Sequence, residues 1–287
     1  MQVHTESMDI LHLKAVLASF LTYLVWILLT PSCLHLFRIL PLPDPMATYL
    51  GTIGSSIAMA IGVLLSARVL MRKPLLACVS NQPCIARFLV PFLSGIACFT
   101  MFTLLRIALA PTLFTWQAPR AGTYASMLLL VLVMNTIQCA SEEFMMRIFP
   151  SHALPDRLGS SLLCTLLFLL PHLGNAELKE GNALLVLSSY VIFGFWGTWE
   201  SLAEGGFGYS LGIHMANNLV VSLLVGYEST PLRTYPLFMT SERSGNLGEL
   251  LTLVATLAIT SLFSRHFLAY TLNHHGKQTE ANGKTQS

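Results

Sequence analysis

Long apolar runs separated by short polar connections dominate this sequence. A helix needs about 20 mostly apolar residues to cross the hydrocarbon core of a bilayer. Proline, glycine and charged residues, which favour turns, lie between the runs, as at Pro43-Asp44-Pro45 and Pro155-Asp156-Arg157. We therefore predict an all-α fold, a polytopic transmembrane bundle of about eight helices. The predicted helices cover residues 13–30, 46–70, 86–110, 124–154, 159–173, 182–203, 207–226 and 247–270.

The composition places the chain in a membrane. Of its 287 residues, 54% are hydrophobic and only 10% are charged, whereas water-soluble domains carry about 25% charged residues. We expect one transmembrane domain over residues 1–273, surrounded by lipid, and a polar, disordered tail over 274–287. A net charge of +2 without a basic stripe argues against a nucleic-acid partner.

The distribution of lysine and arginine predicts how the chain is oriented. With eight crossings, about ten of these residues fall on the side of the two termini and about five on the other side. Cytoplasmic loops carry the excess of positive residues. Both termini are therefore expected in the cytoplasm.

Three ionisable residues continue the fourth apolar run. An ionisable residue at the centre of a spanning helix costs about 2.5–3.5 kcal/mol on insertion scales, so such residues are candidates for function. Glu143 and Arg147 are four residues apart and share a helix face, so they are expected to pair. Glu142 is rotated by about 100° from Glu143 and is free to act elsewhere. A structural ion pair explains Glu143 and Arg147 but leaves Glu142 unexplained.

Two further apolar runs carry histidine. His172 ends the fifth run directly after Pro171, and taken alone it is better explained as a packing residue than as a catalytic one. His214 and Asn218 are four residues apart in the seventh run and share a face. This pair is compatible either with a hydrogen-bonded clamp between helices or with donors to a developing oxyanion.

The depth of these residues connects them. At 1.5 Å per residue, Glu142 and His172 lie roughly 18 and 20 Å from the same membrane face, and His214 and Asn218 roughly 10–17 Å from it. Glu142 would then act as a general base, with His172 orienting the attacked water, while His214 and Asn218 stabilise an oxyanion. Glu142, His172 and His214 would alternatively form a zinc ligand set. The H-E-x-x-H spacing of zincins is missing, so we expect no required cofactor.

Three ordered motifs resemble those of a known family. They are Glu142-Glu143-x-x-x-Arg147, Phe168-x-x-x-His172 and His214-x-x-x-Asn218. In this order, on three separate apolar runs, they resemble the motifs of the CPBP (Abi, CAAX protease-like) intramembrane endopeptidases, which include the Ras-converting endopeptidase. The resemblance covers roughly residues 124–226, the expected catalytic core.

The resemblance implies a helical bundle whose cavity opens to the cytoplasm, in a multi-pass protein of the bacterial plasma membrane. It implies that Glu142 and His172 activate water and that His214 and Asn218 form the oxyanion hole, with Glu143 and Arg147 as structural support. It also implies a glutamate-type mechanism without a metal, and a membrane-embedded protein or peptide as substrate.

Two other classes of function remain open at this point. The chain is also compatible with a non-catalytic membrane scaffold or a bacteriocin-immunity protein that keeps the fold. A proton-coupled transporter would use the same glutamate and histidine residues as a proton relay, but the sequence shows no inverted repeat of the kind found in many transporters.

Overall fold

The computed structural model describes residues 8–42, 44–80, 85–228, 230 and 234–284. Helices make up nearly all of the regular structure, as the apolar runs predict. They are α1 (Met8–Arg38), α2 (Asp44–Ile53), α3 (Ser55–Ser66), α4 (Leu75–Val79), α5 (Ala86–Leu109), α6 (Ala121–Glu143), α7 (Phe149–Ser151), α8 (Arg157–His172), α9 (Ala176–Glu180), α10 (Ala183–Glu204), α11 (Gly208–Leu223) and α12 (Leu247–Lys284). Two π-helical segments, Ala67–Met71 and Phe144–Ile148, follow α3 and α6 directly.

Each predicted run corresponds to a helix or to a helical segment that a turn interrupts, except that positions 225 and 226 of the predicted run 207–226 belong to a strand. Six segments of the described chain are long and apolar enough to cross a membrane. Helices α8 and α11 have 16 residues each, or about 24 Å at 1.5 Å per residue, which is shorter than the hydrocarbon core of about 30 Å. The all-α bundle is confirmed, and the chain is an integral, multi-pass membrane protein.

The last helix is longer than the sequence predicts. α12 continues as far as Lys284, so positions 274–284, which we expected to be a disordered tail, continue the helix. The remaining positions of that predicted tail, 285–287, lie outside the described residues.

A small sheet joins two connections at one end of the bundle. Its strands are β1 (Phe114–Trp116), β2 (Val225–Tyr227) and β3 (Phe238–Thr240), in the order β1-β3-β2. β1 pairs antiparallel with β3, with Thr115 opposite Met239, and β2 pairs parallel with β3, with Gly226 opposite Met239. Strands of three residues give too little alternation to be predicted from sequence.

Small residues bring α11 close to α5, and this packing positions His214 and Asn218, which α11 carries. A Cβ atom on Gly212 would lie 2.6 Å from the Phe88 carbonyl oxygen, and one on Gly95 would lie 2.9 Å from the Ala216 Cβ. Larger side chains would separate the helices, as is common for small residues between membrane helices. Gly205, at φ +74°, ends α10 in the left-handed conformation and turns the chain into α11.

Candidate active site

The first motif lies where α6 changes into a π turn. Glu142, Glu143 and Arg147 are 7%, 0% and 0% exposed, and Arg147 belongs to the π segment Phe144–Ile148. Pro150 lies two residues after this segment and has no amide hydrogen to donate to the preceding turn. Single π turns inside α-helices occur frequently at functional sites.

Arg147 and Glu143 form a fully buried ion pair, as their spacing predicts. The guanidinium carbon of Arg147 lies 4.4 Å from the ring centroid of Phe168 and 5.4 Å from that of Phe193. Its Nη2 also donates to the Phe193 carbonyl oxygen at 3.4 Å. Two aromatic faces and a carboxylate therefore hold this cation where water has no access.

His214 links the two glutamates. Its Nδ1 lies 2.8 Å from Glu143 Oε1, and its Nε2 lies 3.5 Å from Glu142 Oε2. The sequence separates Glu142 from Glu143 by their directions on the helix, but it gives no indication that one imidazole reaches both. Glu143 thus contacts Arg147 and His214 together, so it does more than pair with Arg147.

His172 lies at the end of α8 with one ring nitrogen occupied. Its Nδ1 is 2.6 Å from the Phe168 carbonyl oxygen. A carbonyl oxygen only accepts hydrogen bonds, so Nδ1 carries the proton and Nε2 of the neutral ring is an acceptor. The ring lies between Phe168 and Tyr190, with centroid distances of 4.5 and 4.6 Å.

Asn218 faces the same region from α11. Its Oδ1 accepts from Asn217 Nδ2 at 3.1 Å, and its Nδ2 donates to Cys139 Sγ at 3.5 Å. An amide nitrogen carries two hydrogens, so a second donor remains for a ligand.

Three site residues were missed by the sequence analysis. Gln138 Nε2 donates to Glu142 Oε1 at 3.0 Å, and its position four residues before Glu142 is the signal that would have found it. Tyr190 packs on His172, and its hydroxyl oxygen accepts from Asn175 Nδ2 at 2.8 Å. No spacing in the sequence connects Tyr190 or Asn175 with this site.

Residues of all three motifs line one cavity with a volume of about 390 Å³. Glu142, His172, His214 and Asn218 all contribute to its wall, together with apolar side chains such as Phe99. A cavity of mostly apolar lining with a few convergent polar groups is the usual form of a ligand site. The arrangement offers a carboxylate, a neutral imidazole acceptor and an amide donor to one bound molecule.

The alternative prediction places zinc between Glu142, His172 and His214. Within the described part of the chain, no three histidine, cysteine, aspartate or glutamate residues are grouped so that they would hold a metal ion.

The cavity runs from the middle of the bundle toward one of its ends. It extends from the motif residues to Arg106 at the end of α5, Glu177 in α9 and Glu249 at the start of α12. This is the face opposite to the start of α1 and the end of α12. The opening of the cavity to the cytoplasm and the cytoplasmic location of both termini stay predictions.

The fold and the cavity define an integral multi-pass membrane protein with a polar site buried among its helices. Residues 124–220 match the family model described as "Type II CAAX prenyl endopeptidase Rce1-like", a segment that holds all three motifs. The predicted family resemblance is thereby confirmed, and at the level of the family it supports a membrane protease.

One curated relative extends the similarity beyond this segment. The chain is 24% identical over 223 residues to "Uncharacterized protein YyaK" of Bacillus subtilis (strain 168), a match that covers 76% of this chain and 73% of that protein. No solved structure matches the chain.

Proposed function

We propose that the protein is an intramembrane endopeptidase that hydrolyses a peptide bond of a membrane protein or peptide without a metal ion. The observation that carries this proposal is the single cavity lined by Glu142, His172, His214 and Asn218. Structural ion pairs and packing histidines have no reason to converge on one cavity from three helices. The family match over 124–220 supports the same class of activity.

Glu142 and His172 activate the attacking water in this proposal. The water donates one hydrogen to the Glu142 carboxylate and the other to His172 Nε2, which the bond from Nδ1 to Phe168 leaves as an acceptor. The lone pair of the water oxygen then attacks the carbonyl carbon of the scissile bond. Glu142 takes the proton and returns it to the amine nitrogen as the C–N bond breaks.

His214 and Asn218 stabilise the tetrahedral oxyanion. Glu143 accepts from His214 Nδ1, which fixes the ring with Nε2 beside Glu142. Donation from Nε2 to the oxyanion requires the ring to carry both hydrogens, because the Nδ1 hydrogen is bound to Glu143. Preorganised donors of this kind typically contribute about 10²–10³ in kcat each.

The test compares membrane peptides from cells that carry the wild-type protein, Glu142→Gln or His172→Ala. A positioned general base contributes about 10²–10⁴ in rate, so an uncut peptide accumulates in both variants. Glu180→Gln, the same change at an exposed glutamate, serves as the matched control and retains cleavage. If the biological activity survives both Glu142→Gln and His172→Ala, the protein acts as a scaffold rather than as a protease.

The metal-free step has a separate test. Purified active protein is assayed for bound zinc and treated with a chelator. We expect activity to persist under chelation, and stoichiometric zinc whose removal abolishes activity would overturn the metal-free mechanism.

A further inference from the structure

Contacts between the connections define two opposite faces of the bundle. On one, the termini face, the amide of Phe207 donates to the Val79 carbonyl oxygen, and Arg265 near the end of α12 pairs with Glu200 near the end of α10. Leu11, near the start of α1, packs in the same hydrophobic cluster as Phe207. The termini face thus contains the start of α1, the end of α12 and the connections after α3, α7 and α10.

The opposite side, the mouth face, contains the other connections. The three-stranded sheet joins the connection before α6 to the connection between α11 and α12. The amide of Asn182 donates to the Ser244 carbonyl oxygen and brings the start of α10 to the same place. The cavity reaches this face, where Arg106, Asn175, Glu177, Tyr227 and Glu249 line it.

The termini face carries the larger share of positive side chains. Nine lysines and arginines belong to it, against five among the described residues of the mouth face. Between positions 68 and 87 four cations occur without one acidic residue. The termini-face cations are Lys14, Arg68, Arg72, Lys73, Arg87, Arg157, Arg265, Lys277 and Lys284, and the described mouth-face cations are Arg38, Arg106, Arg120, Lys179 and Arg243.

We infer that the cavity opens away from the cytoplasm and admits substrates whose scissile bond lies on the outer side of the membrane. Positive residues near helix ends stay preferentially in the cytoplasm, which puts the termini face inside and the mouth face outside. The substrate class is then an exported peptide or the external juxtamembrane segment of a membrane protein. This inference rests on the proposed function for the chemistry, but the direction of opening rests on topology alone.

The direction of opening is tested with a matched pair of single substitutions in the full chain, Lys179→Cys on the mouth face and Lys73→Cys on the termini face. Both lysines are exposed and lie outside the catalytic machinery. Intact cells are treated with a membrane-impermeant maleimide, and the wild-type chain gives the background from the native cysteines. We expect Lys179→Cys to react equally before and after permeabilisation, and Lys73→Cys to react only afterwards.

Three outcomes overturn the inference. Reaction of Lys73→Cys alone in intact cells would place the mouth face in the cytoplasm, and reaction of both positions or of neither would contradict the two-face topology. Each variant is also checked for wild-type accumulation in the membrane, so that a misfolded chain is recognised. Labelling does not require catalysis, so failure of the protease proposal leaves this result unchanged.

The substrate class has its own readout. Peptides that accumulate uncut in Glu142→Gln cells are mapped for the side of the membrane on which their cleavage site lies. Sites on the external side support the inference, and sites in cytoplasmic segments contradict it.

Discussion

Breaking the buried ion pair between Arg147 and Glu143 tests the energetics of the site. Both side chains are completely buried, and Arg147 also lies between the rings of Phe168 and Phe193. Arg147→Met keeps most of the volume but leaves Glu143 without its cation. Removing one partner of a buried pair costs about 3–5 kcal/mol, because the remaining charge is left uncompensated. We expect the free energy of unfolding to fall by that amount.

The assay is equilibrium unfolding in mixed micelles with increasing SDS. The double variant Glu143→Gln/Arg147→Met removes both charges while its amide oxygen still accepts from His214, so it is expected to recover part of the loss. Coupling energies between contacting residues are typically about 0.5–3 kcal/mol. Arg120→Met, the same change at an exposed arginine, should stay within about 0.5 kcal/mol of wild type. A loss below about 1 kcal/mol for Arg147→Met, with no recovery in the double variant, would refute the reasoning built on buried-pair costs.

Two further changes test residues beside the motifs. Gln138→Leu removes a hydrogen bond to the Glu142 carboxylate. Because hydrogen bonds to charged groups contribute about 1.5–3 kcal/mol, we expect kcat to fall about 10- to 100-fold with KM little changed. Unchanged turnover would exclude a positioning role for Gln138. Burial and the charge of Glu249 raise the pKa of Glu177 to about 7 from 4.5. Between these two pH values Glu177 is protonated in the folded protein and ionised in the unfolded chain. Its contribution to the free energy of unfolding is therefore fully present below pH 4.5 and is lost as the pH rises through about 7. Unfolding measured across this range should show a smaller loss in Glu177→Gln than in wild type, and equal losses in both would contradict the prediction.

The site shows where sequence reasoning works and where it stops. The contact between Glu143 and Arg147 follows from a spacing of four residues within one helix, which fixes a common face whatever the surroundings. The contact of His214 with both glutamates joins residues about 70 positions apart and depends on how α11 packs against α6. Tyr190 reaches His172 through the packing of α10 on α8, for which no local pattern exists.

By itself, the sequence determined that this chain is a helical membrane protein, roughly where its helices lie, and which polar residues are exceptional within them. Those properties depend on the length of apolar runs and on helical spacing, which are local. Only the tertiary structure decided that the four motif residues line one cavity, that Glu143 serves both Arg147 and His214, and that the cavity reaches the face opposite to the termini. These contacts and the cavity depend on which helices pack together and on how far each helix is shifted along its axis relative to its neighbour. The close approach of helices at residues such as Gly95 and Gly212 sets that packing.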